Sequence, residues 1–156
     1  MSEERQKIMK IVSDKMPKVD VESILTSDEI AAIHEFMHHY PQARAASLDA
    51  LKIVQKRNGW VDDAQANAIA NILDIPMSDM DGVATFFNRI YRQPVGRHVI
   101  LICDSVACYL TGYEALSAEI RSQLGIEYGQ TTADGRFTLL PICCLGNCDK
   151  GPAVLI

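Results

Sequence analysis

The sequence has no long apolar run and no excess of basic residues. No run approaches the roughly 20 apolar residues of a membrane-spanning helix, so we expect no direct membrane insertion. The 156 residues include 20 Asp and Glu against 15 Lys and Arg, and the formal net charge is −5. Because nucleic-acid binding requires clustered basic side chains, nucleic acid is not an expected partner.

Signals for secretion and for nucleotide binding are also missing. Residues 1–7 are charged and lack the apolar core of a signal peptide. We therefore expect a soluble chain in a reducing compartment, where thiols are free to bind metal. The sequence contains no Gly-x-Gly-x-x-Gly or Walker motif, so the chain is not expected to bind a nucleotide by itself.

Cysteine is confined to two short segments, which hold all five cysteines: Cys103 and Cys108 in the first, and Cys143, Cys144 and Cys148 in the second. Read as ligand pairs, they give C-x4-C and C-x3-C with Cys143 left over. Four thiolates suit either Zn²⁺ or an iron–sulfur cluster. A two-iron cluster takes two thiolates on each iron, which fits two separate pairs, while structural zinc sites use similar spacings. An odd count and the missing secretion signal disfavour disulfides.

The setting of the pairs favours iron–sulfur over zinc. Residues 98–102 are typical of a buried strand, and Cys103 lies at its end. Helix N-termini and tight glycine-containing loops present N–H groups that favour negative charge. Four thiolates, two sulfides and two ferric ions leave a charge of about −2, or about −3 after reduction. A C-x4-C spacing also differs from the Cys-x-x-Cys of a thioredoxin redox centre.

Apolar spacing predicts the elements around the pairs. Leu110, Tyr113 and later apolar residues predict one helix that ends before Gly125. Residues 137–140 predict a strand broken by Pro141. Residues 153–156 predict a further strand.

The first half predicts a helical bundle. A capping box of Thr26 and Glu29 opens a helix that runs to Tyr40, and residues 44–58 form the next helix. Asp62 caps a third helix, and Ser78 opens a short fourth one. The expected inward side chains are Ile30, Ile33, Met37, Leu48, Leu51, Val54, Ala66, Ile69, Ala70 and Leu73. Residues 1–25 carry only a weak helical pattern and are interpreted as an N-terminal extension.

The letters H-E-x-x-H occur once, from His34 to His38. In a zinc protease the two histidines bind zinc, the glutamate activates water and a third ligand completes the site. No third ligand and no substrate-cleft signal accompany the motif here. We interpret these histidines as solvated side chains on a helix surface.

A family resemblance rests on the cysteine pairs and on further segments. Cys103-Asp104-Ser105-x-x-Cys108 with Cys144-Leu145-Gly146-x-Cys148 resembles the thioredoxin-like [2Fe–2S] subunit of respiratory NADH–quinone oxidoreductase, complex I. The other similar segments are Arg44-Ala45-Ala46-Ser47-Leu48-Asp49-Ala50-Leu51, Gly59-Trp60-Val61, Gly82-Val83-Ala84-Thr85-Phe86 and Asp134-Gly135-Arg136-Phe137. The resemblance covers about residues 28–156 and looks most like the bacterial form, the E subunit.

The resemblance implies a ligand set, a fold and partners. The implied cluster ligands are Cys103, Cys108, Cys144 and Cys148, and Cys143 falls outside the pattern. The implied fold is α+β, with an N-terminal helical bundle over residues 1–95 and a thioredoxin-like [2Fe–2S] ferredoxin domain over residues 96–156. The family continues beyond residue 156, so we expect a C-terminal truncation.

The implied function is electron transfer with no catalysis by the isolated chain. The [2Fe–2S] cluster would exchange single electrons with FMN in the NADH-binding partner, beside the large iron–sulfur subunit of the peripheral arm. The implied location is the cytoplasmic side of the inner membrane, reached through the complex. Phe86 and Phe87 are expected to be core or interface side chains. The alternatives are the equivalent subunit of a soluble NAD-dependent formate dehydrogenase or hydrogenase, and a zinc-stapled interaction module.

Overall fold

The computed structural model describes residues 19–156, so the weak helical pattern before Pro17 lies outside the described residues. Two compact units divide after Pro94. The helical unit contains α1 (Val21–Ile24), α2 (Ser27–His38), a 3₁₀ turn (Ala43–Ala46), α3 (Ser47–Asn58), α4 (Asp63–Ile72) and α5 (Met77–Phe86). The cysteine-containing unit contains β1 (His98–Cys103), α6 (Val106–Leu110), α7 (Tyr113–Leu124), β2 (Phe137–Ile142), a 3₁₀ turn (Cys148–Lys150) and β3 (Val154–Leu155).

Side-chain caps begin two helices of the first unit where the sequence predicts them, at Thr26 and Asp62. The bounds differ in part: α2 ends at His38 and not at Tyr40, and α3 begins at Ser47, after the 3₁₀ turn. The Thr26 hydroxyl accepts the Glu29 amide at 3.2 Å, and the Glu29 carboxylate accepts the Thr26 amide at 2.8 Å. Asp62 and Gln65 form the same reciprocal pair at the start of α4. Gly59 ends α3 in the left-handed conformation, with a φ of 81°. Both capping boxes satisfy amides that have no partner inside their helix.

The helical unit has one apolar core, to which all ten of the expected inward side chains contribute. Ile33, Leu51 and Ile69 are fully buried within it. Ile30, Met37 and Leu48 are half-buried against it. Buried alanines on α3 and α4 allow the helices to approach closely, and their small side chains give only a weak signal in the sequence.

The expected start of α5 is wrong in detail. The helix begins at Met77, after Pro76, so Ser78 lies inside the first turn and does not cap it. Phe86 is 78% exposed and Phe87 is 39% exposed, which excludes the core role for both and leaves the expected interface role as a prediction. Their rings stack edge-on, with centroids 5.2 Å apart.

The second unit is a three-stranded mixed sheet in the order β2-β1-β3. The central strand β1 is parallel to β2 and antiparallel to β3. Alternate residues of β1 face two apolar clusters. Ile100 and Ile102 pack with α7 residues on one face, and Leu101 and Cys103 pack with Cys108 on the other.

The single helix expected after Cys108 is two helices. Gly112 separates them with a φ of 113°, a conformation that glycine adopts without steric cost. Leu110 therefore does not continue the buried stripe of α7, and it is 79% exposed. Pro141 also does not end its strand. It lies within β2 at the sheet edge, where a missing N–H breaks no ladder bond.

The α+β class expected from the sequence is confirmed by these helices and strands. Across residues 19–156, no helix combines the length and the apolar composition needed to cross a bilayer.

The Thr138 hydroxyl links β2 to Gly96, which precedes β1, and replacing it tests how much this link stabilises the sheet. Its hydroxyl is buried, accepts the Gly96 amide at 2.6 Å and lies 2.7 Å from the Thr131 hydroxyl. Thr138→Val keeps the shape but leaves the Gly96 N–H unpaired. We expect the free energy of unfolding to fall by about 1–3 kcal/mol. Amide exchange in β1 and β2 should then be roughly 5- to 150-fold faster.

The matched control is Thr131→Val, because Thr131 is exposed and the bond between Gly96 and Thr138 survives. Its effect on the free energy of unfolding should be smaller than that of Thr138→Val, because only the bond between the two hydroxyls is lost and the Gly96 amide keeps its acceptor. Equal exchange rates in Thr138→Val and the unchanged protein would contradict the role of this hydrogen bond.

Candidate metal centre

The ends of β1 and β2 bring the two cysteine segments together. Cys103 is the last residue of β1 and is in register with Ile142, the last residue of β2. Parallel strands end at the same edge of a sheet, so the segments that follow them meet there. The Asp104 amide donates to the Ile142 carbonyl at 3.1 Å, and the Cys103 amide donates to the Ala153 carbonyl at 3.0 Å. Backbone from the second segment thus flanks Cys103 on two sides.

The two cysteine pairs differ in burial. Cys103 and Cys108 are each 1% exposed, and Cys108 lies in the middle of the short helix α6. Cys144 and Cys148 are exposed, and their sulfurs lie 3.4 Å apart. The Gly146 amide donates to the Cys144 sulfur at 3.3 Å. Half of the site is therefore set into the protein and half faces outward.

Hydrogen bonds favour the thiolate form of Cys103 despite its burial. Burial raises the pKa of the Cys103 thiol, but the amides of Ser105 and Leu145 and the thiol of Cys108 hydrogen-bond to it and outweigh burial. The net pKa of Cys103 is lower than that of an ordinary thiol. Leu145 belongs to the second segment, so one segment supplies an amide to the sulfur of the other.

Neighbouring cysteines also shift the pKa values of Cys108 and Cys148. The Ala153 amide lowers the pKa of Cys108, but its hydrogen bond with Cys103, its burial and the nearby charges of Cys103 and Cys144 raise it above the ordinary value. A hydrogen bond to Cys144 and the charges of Cys144, Cys108 and Cys103 raise the pKa of Cys148. Four thiolates this close repel each other unless a cation lies between them.

The arrangement fits a two-iron cluster better than a single ion. A tetrahedral zinc site holds four sulfurs at about 2.3 Å from one point, so the sulfurs lie about 3.8 Å from each other. Within residues 19–156, no three His, Cys, Asp or Glu side chains are grouped so that one ion could be held by all of them. A [2Fe–2S] cluster instead requires two pairs of cysteines, one pair for each iron, with N–H donors directed at the sulfurs.

The histidines of the helical unit and the fifth cysteine are solvent-facing. His34 and His38 are exposed on α2, as expected for solvated histidines, and His39 is exposed beside them. Cys143 is also exposed, directly after the end of β2.

Sequence reasoning expected N–H donors in the glycine-containing loop of the second segment but did not identify Leu145, Gly151 and Ala153. Leu145 and Ala153 direct amides at Cys103 and Cys108, and Gly151 lies against Cys108. Backbone donors leave no pattern in side-chain identity. The only available signal was the small size of Gly151 and Ala153.

Curated relatives match most of the chain. It is 60% identical over 133 residues to the E subunit of NADH-quinone oxidoreductase from Pseudomonas aeruginosa, covering 85% of this chain and 80% of the relative. The E subunit of Escherichia coli is 60% identical over 132 residues, with the same coverage of both chains. The E subunit of Buchnera aphidicola from Acyrthosiphon pisum is 52% identical over 141 residues, covering 90% of this chain and 87% of the relative.

A solved structure has a similar fold. The NAD⁺-reducing [NiFe]-hydrogenase in its H₂-reduced state matches 67% of this chain with a TM-score of 0.54 and 25% identity. The match spans only 18% of that hydrogenase chain. The family described as thioredoxin-like [2Fe–2S] ferredoxin matches residues 33–156. The resemblance seen in the sequence is thereby confirmed, and the chain belongs to the thioredoxin-like [2Fe–2S] ferredoxin family, among the E subunits of NADH-quinone oxidoreductase.

Proposed function

We propose that Cys103, Cys108, Cys144 and Cys148 hold the [2Fe–2S] cluster of this electron-transfer subunit. The observation that carries the assignment is that both cysteine segments follow strands that end side by side, with Cys103 in register with Ile142 and the sulfurs of Cys144 and Cys148 3.4 Å apart. Amides of Ser105, Leu145, Gly146 and Ala153 hydrogen-bond to three of the sulfurs, which suits a cluster of negative charge. Cys143 is left out because it falls outside the ligand pattern that the resemblance implies.

The two alternatives receive less support. A zinc-stapled module needs four sulfurs around one point, and within residues 19–156 no group of even three such side chains surrounds one point. A hydrogenase or formate dehydrogenase subunit would share this fold, but the identity is 25% to the hydrogenase and 60% to the E-subunit relatives. We therefore retain NADH-quinone oxidoreductase as the host complex.

The sequence has paired cysteines for a cluster that carries one electron. It has no nucleotide-binding motif for a cofactor that carries a hydride. When bound, the cluster accepts and releases one electron at a time. The buried pair, Cys103 and Cys108, shields one side of the site from water, and Cys144 and Cys148 face outward. Since hydride chemistry belongs to nicotinamide and flavin cofactors, the electron donor is the FMN- and NADH-binding subunit of the same complex.

The exposed face of α6 supports a partner at the outward side of the site. Val106 is 73% exposed, Tyr109 is 52% exposed and Leu110 is 79% exposed, and all three flank Cys108 in sequence. Exposed apolar clusters of this kind mark protein–protein contacts. We assign this face to the flavin subunit. The exposed Phe86 and Phe87 provide a second apolar contact, on the helical unit.

Membership of NADH-quinone oxidoreductase also implies a second partner and a location for the chain. Its other neighbour is the large iron–sulfur subunit of the peripheral arm. The chain is held on the cytoplasmic side of the inner membrane through these partners. Crosslinking of the assembled complex followed by mass spectrometry tests both statements, and crosslinks to membrane-embedded subunits alone would contradict them.

Single serine replacements test the ligand set. Cys103→Ser, Cys108→Ser, Cys144→Ser and Cys148→Ser each remove one thiolate and should abolish or severely reduce cluster binding, because serine is a poor ligand for iron in such clusters. Iron and acid-labile sulfide per chain, with the visible absorption spectrum, measure the loss.

Cys143→Ser is the matched control, since it changes the same residue type in the same segment. It should keep full iron and sulfide content. Full content in Cys144→Ser together with loss in Cys143→Ser would reverse the assignment, and zinc in place of iron in the unchanged protein would exclude the cluster.

Reduction by NADH tests the partner. We expect no NADH oxidation by the isolated chain, because it has no nucleotide motif. With the flavin subunit added, NADH should produce the EPR signal of a reduced two-iron cluster.

Dithionite is the control for a low reduction potential. A signal with dithionite alone would show that NADH is too weak a donor, whereas no signal with either reductant would exclude the cluster. A signal from NADH with the isolated chain would reveal a nucleotide site.

Leu110→Glu tests the α6 contact. Placing a charge on this exposed apolar face should weaken binding to the flavin subunit roughly tenfold or more, because a buried unpaired charge is costly. Ala118→Glu changes an exposed residue of α7 and should leave the affinity unchanged. Both variants should keep their cluster. Equal affinities in a calorimetric titration would exclude α6 from the interface.

A further inference from the structure

Gly151 follows the second cysteine pair by three residues and lies against Cys108 and Thr111. A Cβ atom added at this position would be 2.6 Å from the Thr111 hydroxyl oxygen, 3.5 Å from the Cys108 sulfur and 3.6 Å from the Cys108 Cα. Real Cβ atoms do not approach another heavy atom to 2.6 Å. The two contacts to Cys108 are ordinary van der Waals distances, so Thr111 is the one severe obstacle.

Backbone conformation does not explain a glycine here. Gly151 has a φ of −68° and a ψ of 160°, which any residue adopts, including a residue that precedes proline. The missing side chain therefore matters for space alone. Thr111 cannot easily yield, because its hydroxyl lies 2.9 Å from the Ala107 carbonyl oxygen and 3.2 Å from that of Cys108.

Two residues further along, Ala153 contacts both cysteines of the buried pair. Its carbonyl accepts the Cys103 amide at 3.0 Å, and its amide donates to the Cys108 sulfur. Ala153 is 8% exposed and packs in the same apolar cluster as these two cysteines. A shift of this segment would change both contacts at once.

We propose that Gly151 is a positioning residue for Cys108: without a side chain, segment 151–153 lies directly against Cys108 and brings the Ala153 amide to its sulfur. This inference rests on the proposed ligand role of Cys108. An N–H bond to a ligand sulfur favours the more negative, reduced state of a cluster. Displacing segment 151–153 therefore makes reduction harder.

The test compares four full-length proteins with their clusters in place: unchanged, Gly151→Ala, Thr111→Ala and the double variant. An EPR-monitored redox titration gives the reduction potential. Gly151→Ala should lower the one-electron equilibrium constant by about three- to tenfold, and a tenfold change is 59 mV. Thr111→Ala should match the unchanged protein. The double variant should match Thr111→Ala, because the oxygen that the new Cβ meets is gone.

Several outcomes would overturn the proposal. An unchanged potential in Gly151→Ala would do so, as would a double variant that stays as low as Gly151→Ala. If Gly151→Ala holds no cluster at all, iron and sulfide content becomes the readout. Recovery of the cluster in the double variant then supports the proposal, and no recovery while Thr111→Ala keeps its cluster rejects it.

Cys108→Ser separates this inference from the proposed function. If Cys108→Ser keeps full iron and sulfide, the ligand assignment itself fails. If Cys108→Ser loses its cluster while Gly151→Ala behaves like the unchanged protein, only the positioning role fails. A general loss of stability would lower the melting temperature without moving the potential of the intact cluster.

Discussion

The parallel pairing of β1 with β2 is the constraint on which the site depends. It places Cys103 in register with Ile142, so that two segments about 40 residues apart in sequence end at one edge. Two backbone hydrogen bonds, from Asp104 to Ile142 and from Cys103 to Ala153, then fix the first segment between parts of the second. Parallel pairing is nonlocal and needs a crossover, here α6 and α7. The packing of α7 on Ile100 and Ile102 therefore helps to hold the two cysteine segments together.

Bringing these sulfurs together is unfavourable until something offsets their charge. The pKa of Cys108 and that of Cys148 are both raised, in part by the other thiolates. The pKa of Cys103 is instead lowered, because amides from both segments surround its sulfur. A cation-containing cluster relieves the repulsion, and its binding free energy then contributes to folding of the unit. The amides around Cys103 stabilise only that thiolate. They do not offset the repulsion among all four thiolates.

The parts of the structure predictable from sequence are those governed by neighbours along the chain. The capping box of Thr26 and Glu29 and the cap at Asp62 follow from residues three positions apart. The errors have nonlocal causes. Leu110 fits a helical stripe, but Gly112 breaks the helix so that Cys108 can face Cys103. Pro141 is typical of a strand breaker, but its edge position removes the penalty. The cysteine pairs indicated the candidate ligands, whereas the donors on Leu145 and Ala153 are backbone groups that sequence does not mark.

The break at Gly112 also accounts for the apolar surface beside the site. A continuous helix from Ser105 to Leu124 would bury Leu110 in the stripe that α7 lays on the sheet. Splitting it leaves α6 with five residues, of which Cys108 faces inward and Val106 and Leu110 face out. Cys108 thus packs against Cys103 while the apolar side chains of Val106 and Leu110 next to it stay exposed. An electron carrier needs a partner close to its cluster, and the geometry that buries one cysteine pair leaves beside it the apolar surface that we propose as the contact for that partner.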